Sequence, residues 1–285
     1  MAPTDKFHPT KRLERGYEQG LREITGRVLM PRLPEESLDD WVARLAARSQ
    51  EKDILAASQT LAERMVGWVS VTNAKTWRTA AKRSGRGEFF YKLLQREMQG
   101  KTGQAVNRLI AENAKYIRSV PVDAATTLAS EVMRAQQAGA RAGTVDKMLR
   151  VRFPELLLSR TKLIARTETA KASTALTQAR CEELDLDWYE WLTSDDVRVR
   201  PSHKNMNGIL VPWSEAPDPE AINDEKSNLG HYHAGGCPNC RCSSAPIMTL
   251  DDVKFPARVY WQGAIHRFTK QQFKAIAVRL ETRAA

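Results

Sequence analysis

Cysteine and histidine are concentrated in a short part of this 285-residue sequence. Three of the four cysteines, Cys237, Cys240 and Cys242, fall within six consecutive residues. Three of the five histidines lie in the stretch that runs from His203 to His233. This stretch has many loop-forming residues and no long apolar run, so it cannot build a large core of its own. We therefore expect its geometry to be fixed by ligation, most simply of a metal ion.

Zinc is the metal that this donor set favours, because structural zinc sites use four thiolate or imidazole ligands from two chain segments. Cys237 and Cys240 have the C-x-x-C spacing that presents two thiolates to one ion. Cys242 follows Cys240 at a spacing that sends side chains to opposite faces of an extended chain. The predicted ligands are His203, His233, Cys237 and Cys240, with His231 and Cys242 as further candidates. The alternative is a set of buried thiols beside a hydrogen-bonded histidine.

A second polar cluster precedes the cysteines, between Thr193 and His203. If this segment is extended, Asp196, Arg198 and Arg200 lie on one side, where the carboxylate can pair with a guanidinium. Such a cluster is either a catalytic constellation or a structural clasp that holds a loop. We favour the clasp, because the segment offers no obvious nucleophile with an adjacent base.

The basic residues are unevenly distributed. Lys and Arg number 44 against 34 Asp and Glu, a net charge of +10, and residues 1–150 hold 26 of the basic and 17 of the acidic residues. Both a nucleic-acid partner and a simple solvated basic surface fit this excess. Most of the aromatic residues near these basic residues are predicted core anchors, and Trp77 is kept as a candidate for base stacking. The aromatic residues weighed are Trp41, Trp68, Trp77, Phe89 and Phe90. The candidate contact residues are Lys75, Trp77, Arg78, Lys82, Arg83 and Arg86.

Helical periodicity dominates the first half of the chain. Ser37, followed by Asp39 and Asp40, predicts a helix start. Pro121 is predicted to end a helix. The predicted core positions of these helices include Trp41, Leu45, Leu55, Leu61, Met65, Trp68, Leu128, Val132 and Met133. No apolar run is long enough to span a bilayer, and we expect a soluble, unsecreted protein.

The second half changes from helical to strand periodicity at Trp188, after a predicted helix over about 155–184. Further strands are predicted near residues 209–212, 243–248 and 258–261, and a last helix over 270–280. The predicted fold class is α+β, with an N-terminal all-helical region followed by a small, loop-rich α+β domain with a short antiparallel sheet. Residues 1–150 are predicted to form a variable basic helical domain, 151–250 the loop-rich domain, and 251–285 a strand–helix extension.

The sequence from about Glu155 to Met248 resembles the phage head morphogenesis family, the phage Mu protein F-like minor capsid proteins. Members often carry His-Pro-Asn-Cys-Arg-Cys, and here Cys237 stands at the place of that histidine, which keeps a metal ligand. With this resemblance, Arg166 and Glu168 join the predicted clasp. The residues that carry the resemblance are Arg166-Thr167-Glu168-Thr169, Trp191, Asp196-x-Arg198-x-Arg200-Pro201-x-His203, Gly208, Cys240-Arg241-Cys242 and Pro246.

The resemblance implies a minor virion component of a tailed bacteriophage that acts in prohead assembly near the portal and can travel with the DNA. Residues 151–250 would then be the head morphogenesis domain. The implied partners are the portal protein, the scaffold or major capsid protein and packaged DNA, without a membrane. The expected location is the capsid interior or portal vertex, and the host cytoplasm during assembly. We expect no enzymatic activity, and the alternative is a metal-dependent nuclease or toxin-like transferase delivered with the virion.

Overall fold

A computed structural model of the protein describes residues 7–83, 85 and 97–277. A helical N-terminal region precedes a small domain with a five-stranded, mostly antiparallel sheet, which confirms the predicted α+β class. The α-helices of the described residues are α1 Lys11–Val28, α2 Leu38–Ser49, α3 Lys52–Arg83, α4 Lys101–Gln137, α5 Ala142–Lys147, α6 Phe153–Glu183, α7 Pro201–Met206, α8 Pro219–Ile222 and α9 Lys270–Ile276. The strands are β1 Trp188–Leu192, β2 Leu210–Pro212, β3 Ser243–Pro246, β4 Ala257–Trp261 and β5 Ala264–Phe268.

The sheet has the strand order β3-β1-β2-β4-β5. β1 lies between two antiparallel partners, with Tyr189 opposite Val211 of β2 and Pro246 of β3. The β2–β4 pair is parallel, and the other strand pairs of the described sheet are antiparallel, as predicted. β5 was not predicted, because its residues are exposed or half-buried and show no apolar alternation. The four predicted strands are confirmed close to their expected positions.

Helix α4 continues through Pro121, so the prediction that this proline ends a helix is wrong. A proline inside a helix removes one hydrogen bond and costs about 3 kcal/mol. Val120, Ala124 and Leu128 are fully buried on either side of it. Burial of each large apolar side chain contributes roughly 1.5–3 kcal/mol, which outweighs the cost of the proline.

The described chain divides into two compact units, each assembled from segments that are distant in sequence. One unit comprises Lys11–Val66 and Arg108–Glu168. The other comprises Met1–Thr10, Gly67–Asn107 and Thr169–Ala285, and it holds the sheet. The predicted division at residues 150 and 250 follows the sequence alone and stays a prediction.

The helical unit is held by apolar packing and a buried polar contact. Ser37 caps α2 by accepting a hydrogen bond from the Asp40 backbone at 3.0 Å, as predicted. Trp41 packs edge-on against Phe153 with ring centroids 5.0 Å apart. Tyr17 is fully buried and donates a hydrogen bond to Asn113. Met133, predicted to face inward, is 48% exposed.

The sheet unit has an aromatic core that includes Trp77. This side chain is fully buried and packs edge-on against Phe7 at 5.6 Å between ring centroids. Trp77 is therefore a core residue, and its prediction as a base-stacking residue is wrong, since a base cannot reach the ring. Trp68, predicted to be a core anchor, is 45% exposed.

The predicted basic contact residues lie on the last turns of α3, where they are exposed. These side chains follow one another at helical spacing and form an exposed row of cations. Trp77 is buried and is not part of this row. The residues of the row are Lys75, Arg78, Lys82 and Arg83, whereas Arg86 lies outside the described residues, as do Phe89 and Phe90. None of the helices that the structure describes has the length and apolarity of a bilayer-spanning segment.

Candidate metal centre

Helix α7 places His203 inside the sheet unit. Pro201 occupies its first turn, where proline needs no backbone donor and its fixed φ suits the helix. Ser202, His203 and Met206 are buried, so one side of this short helix faces the interior. Trp191 of β1 packs edge-on against the imidazole, with ring centroids 5.6 Å apart. The ring of His203 is therefore held by the strand beneath it.

The cysteine loop, residues 231–242, is anchored to helix α6 at Thr174. The Thr174 hydroxyl donates a hydrogen bond of 2.6 Å to the carbonyl of Ala234, which lies in this loop. The next residue, Gly235, has φ +86°, and a Cβ atom there would lie 2.5 Å from Thr174 Oγ1. Only glycine allows both this backbone conformation and this close approach. The backbone at Ala234 and Gly235 is thus held against Thr174, and the three cysteines follow from this anchored position.

Three donor atoms converge where α7 meets the cysteine loop. His203 Nδ1 lies 3.5 Å from Cys240 Sγ and 3.3 Å from Cys242 Sγ. All three residues are buried, and their donor atoms lie within 4.8 Å of one another. This three-donor group could hold a metal ion. Tetrahedral zinc, with Zn–S of about 2.3 Å and Zn–N of about 2.0 Å, separates N and S ligands by roughly 3.6 Å, so the observed separations fit that ion.

Cys237 lies on the other side of the imidazole. Its Sγ is 3.8 Å from His203 Nε2 and accepts a hydrogen bond of 2.9 Å from Arg200 Nη1. Two effects raise the pKa of the Cys237 thiol: a hydrogen bond with Cys240, which is the larger, and burial. A hydrogen bond with His203 lowers this pKa and so opposes the rise. Cys237 is thus adjacent to the three-donor group without belonging to it.

A buried chain of hydrogen bonds determines how His203 is oriented. Its Nε2 lies 2.9 Å from the Tyr232 hydroxyl, which donates to Glu220 Oε2 at 2.6 Å. Ser202 donates to the other carboxylate oxygen at 3.2 Å. Since the Tyr232 proton goes to Glu220, Nε2 of His203 is the donor to Tyr232. Nδ1 then faces the two thiols, which is the arrangement that metal-binding histidines require.

The thiols strongly affect the protonation of His203. Burial lowers the pKa of His203, but hydrogen bonds with Cys237 and Cys240 and their charges raise it to about 9. Without a metal, the protonated form of His203 is therefore favoured at neutral pH. A metal ion must displace the proton on Nδ1, so its binding would release protons.

The other two candidate histidines lie apart from this group. His233 is half-buried, contacts the Tyr189 hydroxyl through Nδ1 at 3.2 Å and packs against Trp213. Burial lowers the pKa of His233 to about 4, and a backbone hydrogen bond at Trp213 opposes this only in part. His231 is exposed, with Nδ1 2.9 Å from the carbonyl of Ala216.

Cys242, a further candidate in the sequence, takes the position beside His203 that was predicted for His233. The expectation that Cys240 and Cys242 diverge assumed an extended chain. The Cys242 backbone N–H instead donates to Cys240 Sγ at 3.4 Å, so the chain bends and both thiols face the imidazole. Cys181 is fully buried in the core, and burial raises the pKa of its thiol.

Asp196, Arg198 and Arg200 make contacts that differ from those expected of the clasp. Residues 196–199 form a turn, not an extended segment, because the Asp196 carboxylate accepts the Arg198 backbone N–H at 2.9 Å. Asp196 pairs with Arg241, whereas the Arg198 guanidinium reaches it only at 4.0 Å. Arg200 binds the cysteine loop through Cys237 Sγ and the Pro238 carbonyl, each at 2.9 Å. Two arginine contacts therefore tie the two sequence clusters together.

Arg241 was missed as a clasp residue, although it lies between two cysteines of the motif. Its partner could not be found from local spacing, since Asp196 is 45 positions away. Arg166 and Glu168 belong to the helical unit on α6. There, Glu168 is buried and adds to the effect of burial in raising the pKa of Tyr17.

A pocket of about 80 Å³ opens beside the three-donor group. It combines the buried thiols and imidazole with arginine side chains from both sequence clusters. Its lining residues are Ser194, Arg198, Val199, Arg200, His203, Asn239, Cys240, Arg241 and Cys242.

Residues 126–245 match the sequence model of a family described as "Phage Mu protein F like protein". This match confirms the resemblance noted in the sequence and covers both clusters. An uncharacterized protein of Haemophilus influenzae is 32% identical over 148 residues, which are 51% of this chain and 30% of that protein. The chain thus matches less than a third of this relative's length. No solved structure matches the chain.

Proposed function

We propose that this chain, with its phage Mu protein F-like region at residues 126–245, is a head morphogenesis protein of a tailed bacteriophage. It acts as a minor capsid component in prohead assembly, near the portal, and without catalytic turnover. The observation that carries the proposal is the family match over the region in which α7 and the cysteine loop meet. A particle component benefits from such a region, because a fixed surface loses little conformational entropy when it binds a partner.

We propose that zinc stabilises this region. His203, Cys240 and Cys242 would hold the ion, and Cys237, whose Sγ lies 3.8 Å from Nε2 of His203, would need to shift towards the ion to supply a fourth ligand. Four protein ligands would make a closed structural site, in which the ion contributes folding free energy and performs no chemistry. The Tyr232 hydroxyl, which is hydrogen-bonded to Glu220, would hold Nε2 of His203 and so keep Nδ1 directed at the ion.

The proposed partners are the portal protein, the scaffold or major capsid protein, and packaged DNA. The exposed cations on α3, with Lys75, Arg78 and Lys82 among them, support the contact with DNA. Binding through such a row depends on phosphate charge and weakens steeply with salt. The place of action would be the virion, at the capsid interior or portal vertex, after assembly in the host cytoplasm.

The decisive experiment deletes the coding sequence from the phage or prophage that carries it and supplies the chain in trans. We expect loss of DNA-filled heads in electron micrographs, and recovery by the wild-type chain but not by Cys240→Ser/Cys242→Ser. Mass spectrometry of purified virions should find the chain, and it should copurify with portal rings. A normal yield of filled heads after deletion, with no chain in virions, would refute the proposal.

A second candidate function is a metal-dependent nuclease or a toxin-like transferase delivered with the virion. The observation that favours it is the pocket beside the three-donor group, which could give a substrate access to a bound metal. Incubation of the chain with plasmid DNA and Zn²⁺, Mg²⁺ or Mn²⁺ tests the nuclease. Cleavage that His203→Ala abolishes would favour this candidate over a structural zinc site.

A further inference from the structure

We infer that the pocket beside the three-donor group binds a phosphate group. Three arginines, Arg198, Arg200 and Arg241, are among the residues that line it. Ser194 and Asn239 add neutral polar groups to the lining. A space of about 80 Å³ accommodates several water molecules, and therefore a tetrahedral oxyanion in their place.

The charge of the pocket favours an anion. Asp196 is the carboxylate that pairs with the pocket arginines, and it contacts Arg241 and, at 4.0 Å, Arg198. Three arginines thus line the pocket, and Asp196 pairs with two of them, so positive charge exceeds negative charge there. A phosphate monoester carries about −1.5 to −2 charges at pH 7, which matches this surplus better than a single carboxylate does.

Two of the three arginines are already fixed in place. Arg200 donates to Cys237 Sγ and the Pro238 carbonyl, and Arg241 pairs with Asp196 while its side chain is only 15% exposed. A ligand that meets fixed donors pays little side-chain entropy on binding. Guanidinium groups also suit phosphate, because their planar donor pairs bind two oxygens at once.

Arg198 is the arginine that can adjust to a ligand. Its side chain is 68% exposed, and its ion pair with Asp196 is at the distance limit of 4.0 Å. A phosphate in the pocket would compete successfully with this weak contact, because exposed ion pairs contribute at most about 1 kcal/mol. Arg198 is therefore the residue whose removal tests the inference without disturbing the fold.

The phosphate could be free or could be the 5′ end of a nucleic acid. The inference rests on the arginines and not on a role in head assembly or on a bound metal. Its failure would leave the deletion experiment unaffected, so the two proposals can fail separately.

The test is calorimetric titration of the full chain, with a chelator present, by three ligands. These are inorganic phosphate, a 5′-phosphorylated oligothymidylate, and the same oligonucleotide without the phosphate. We expect inorganic phosphate, the phosphorylated oligonucleotide or both to bind. Arg198→Gln should weaken this binding about tenfold, as expected for one charge-assisted contact. Arg198→Lys, which keeps the charge but loses the planar fork, should weaken it less.

Arg267→Gln is the matched control, because it removes the same charge from an exposed position on β5 of the same unit. It should leave the affinity unchanged. Binding of inorganic phosphate alone identifies a free ligand, and binding of the phosphorylated oligonucleotide alone identifies a nucleic-acid end. The inference is refuted if neither binds, if both oligonucleotides bind equally while phosphate does not, or if Arg267→Gln weakens binding as much as Arg198→Gln.

Discussion

His203 Nδ1 and Cys242 Sγ lie 3.3 Å apart, although 39 positions separate these residues in the chain. The contact exists because α7 turns the imidazole inward and the cysteine loop bends after Cys240. Cys240 completes the group at 3.5 Å from the same nitrogen. The identity of the donors therefore depends on the bend of the loop as well as on motif spacing.

The first prediction concerns the ligand set. The wild-type chain should bind one equivalent of Co²⁺ and show a thiolate-to-cobalt charge-transfer band, because two thiolates meet the ion. Cys242→Ser, Cys240→Ser and His203→Ala should each lose most of this band and affinity. His233→Asn is the matched control and should bind as the wild type does. If His233→Asn removes the band and Cys242→Ser retains it, the ligand set assigned here is wrong.

The second prediction concerns Tyr232, which accepts from His203 Nε2 and donates to Glu220. Tyr232→Phe keeps the ring but removes both hydrogen bonds, so His203 loses the group that orients it. Metal affinity should fall about 10- to 100-fold, the usual effect of losing an outer-shell partner. Competition with a chromophoric chelator measures the affinity. A purely structural tyrosine would lower stability but leave the affinity of the folded protein unchanged.

The third prediction concerns acid stability through His233, whose pKa burial lowers to about 4 from 6.5. In the folded protein His233 stays neutral between these values, whereas in the unfolded chain it binds a proton. The unfolded state thus binds more protons, and stability present above pH 6.5 is lost as pH falls towards 4. Full loss amounts to about 3 kcal/mol.

Urea unfolding of the metal-free chain at pH 7 and pH 4.5 measures this effect, with His233→Asn beside the wild type. Asparagine can retain an acceptor near the Tyr189 hydroxyl but does not titrate in this range. The variant should therefore lose less stability than the wild type between the two pH values. Equal losses would show that His233 is not the group responsible.

The fourth prediction compares two glycines of the same region, both with positive φ. Gly235→Ala places a Cβ atom 2.5 Å from Thr174 Oγ1 and 3.1 Å from the Cys242 carbonyl, while Gly230→Ala meets no atom within 4 Å. Gly230→Ala should cost about 1–2 kcal/mol from backbone strain alone. Gly235→Ala should cost about 1–3 kcal/mol more, because the added atom overpacks the site. Thermal unfolding of the two variants gives the comparison, and equal destabilisation would contradict the packing described for Thr174.

Some parts of the fold could be predicted because their cause is local. The alternating aromatic residues of β1 and the Ser37 cap of α2 are such features, since propensity and capping act over a few residues. Pro121 shows the limit of local reasoning. Its cost to the helix is local, whereas the burial of Val120, Ala124 and Leu128 that outweighs it comes from tertiary packing.

The candidate site divides in the same way. The concentration of cysteine and histidine identified the segments that supply the donors, and the choice between Cys242 and His233 required the bend of the loop. The ion pair of Arg241 could not be predicted from the sequence either, because its partner Asp196 belongs to the other cluster. The basic residues around Trp77 suggested a surface, but the ring itself is buried against Phe7.

The sequence by itself determined the fold class, the positions of most strands and the segments that supply sulfur and imidazole. These follow from periodicity, turn residues and side-chain chemistry, which each residue carries wherever it lies. The tertiary structure alone decided which donors face one another, which nitrogen of His203 meets the thiols, and which arginine pairs with Asp196. Those outcomes depend on distances of a few ångströms between residues about 40 positions apart, and only the packed chain sets such distances.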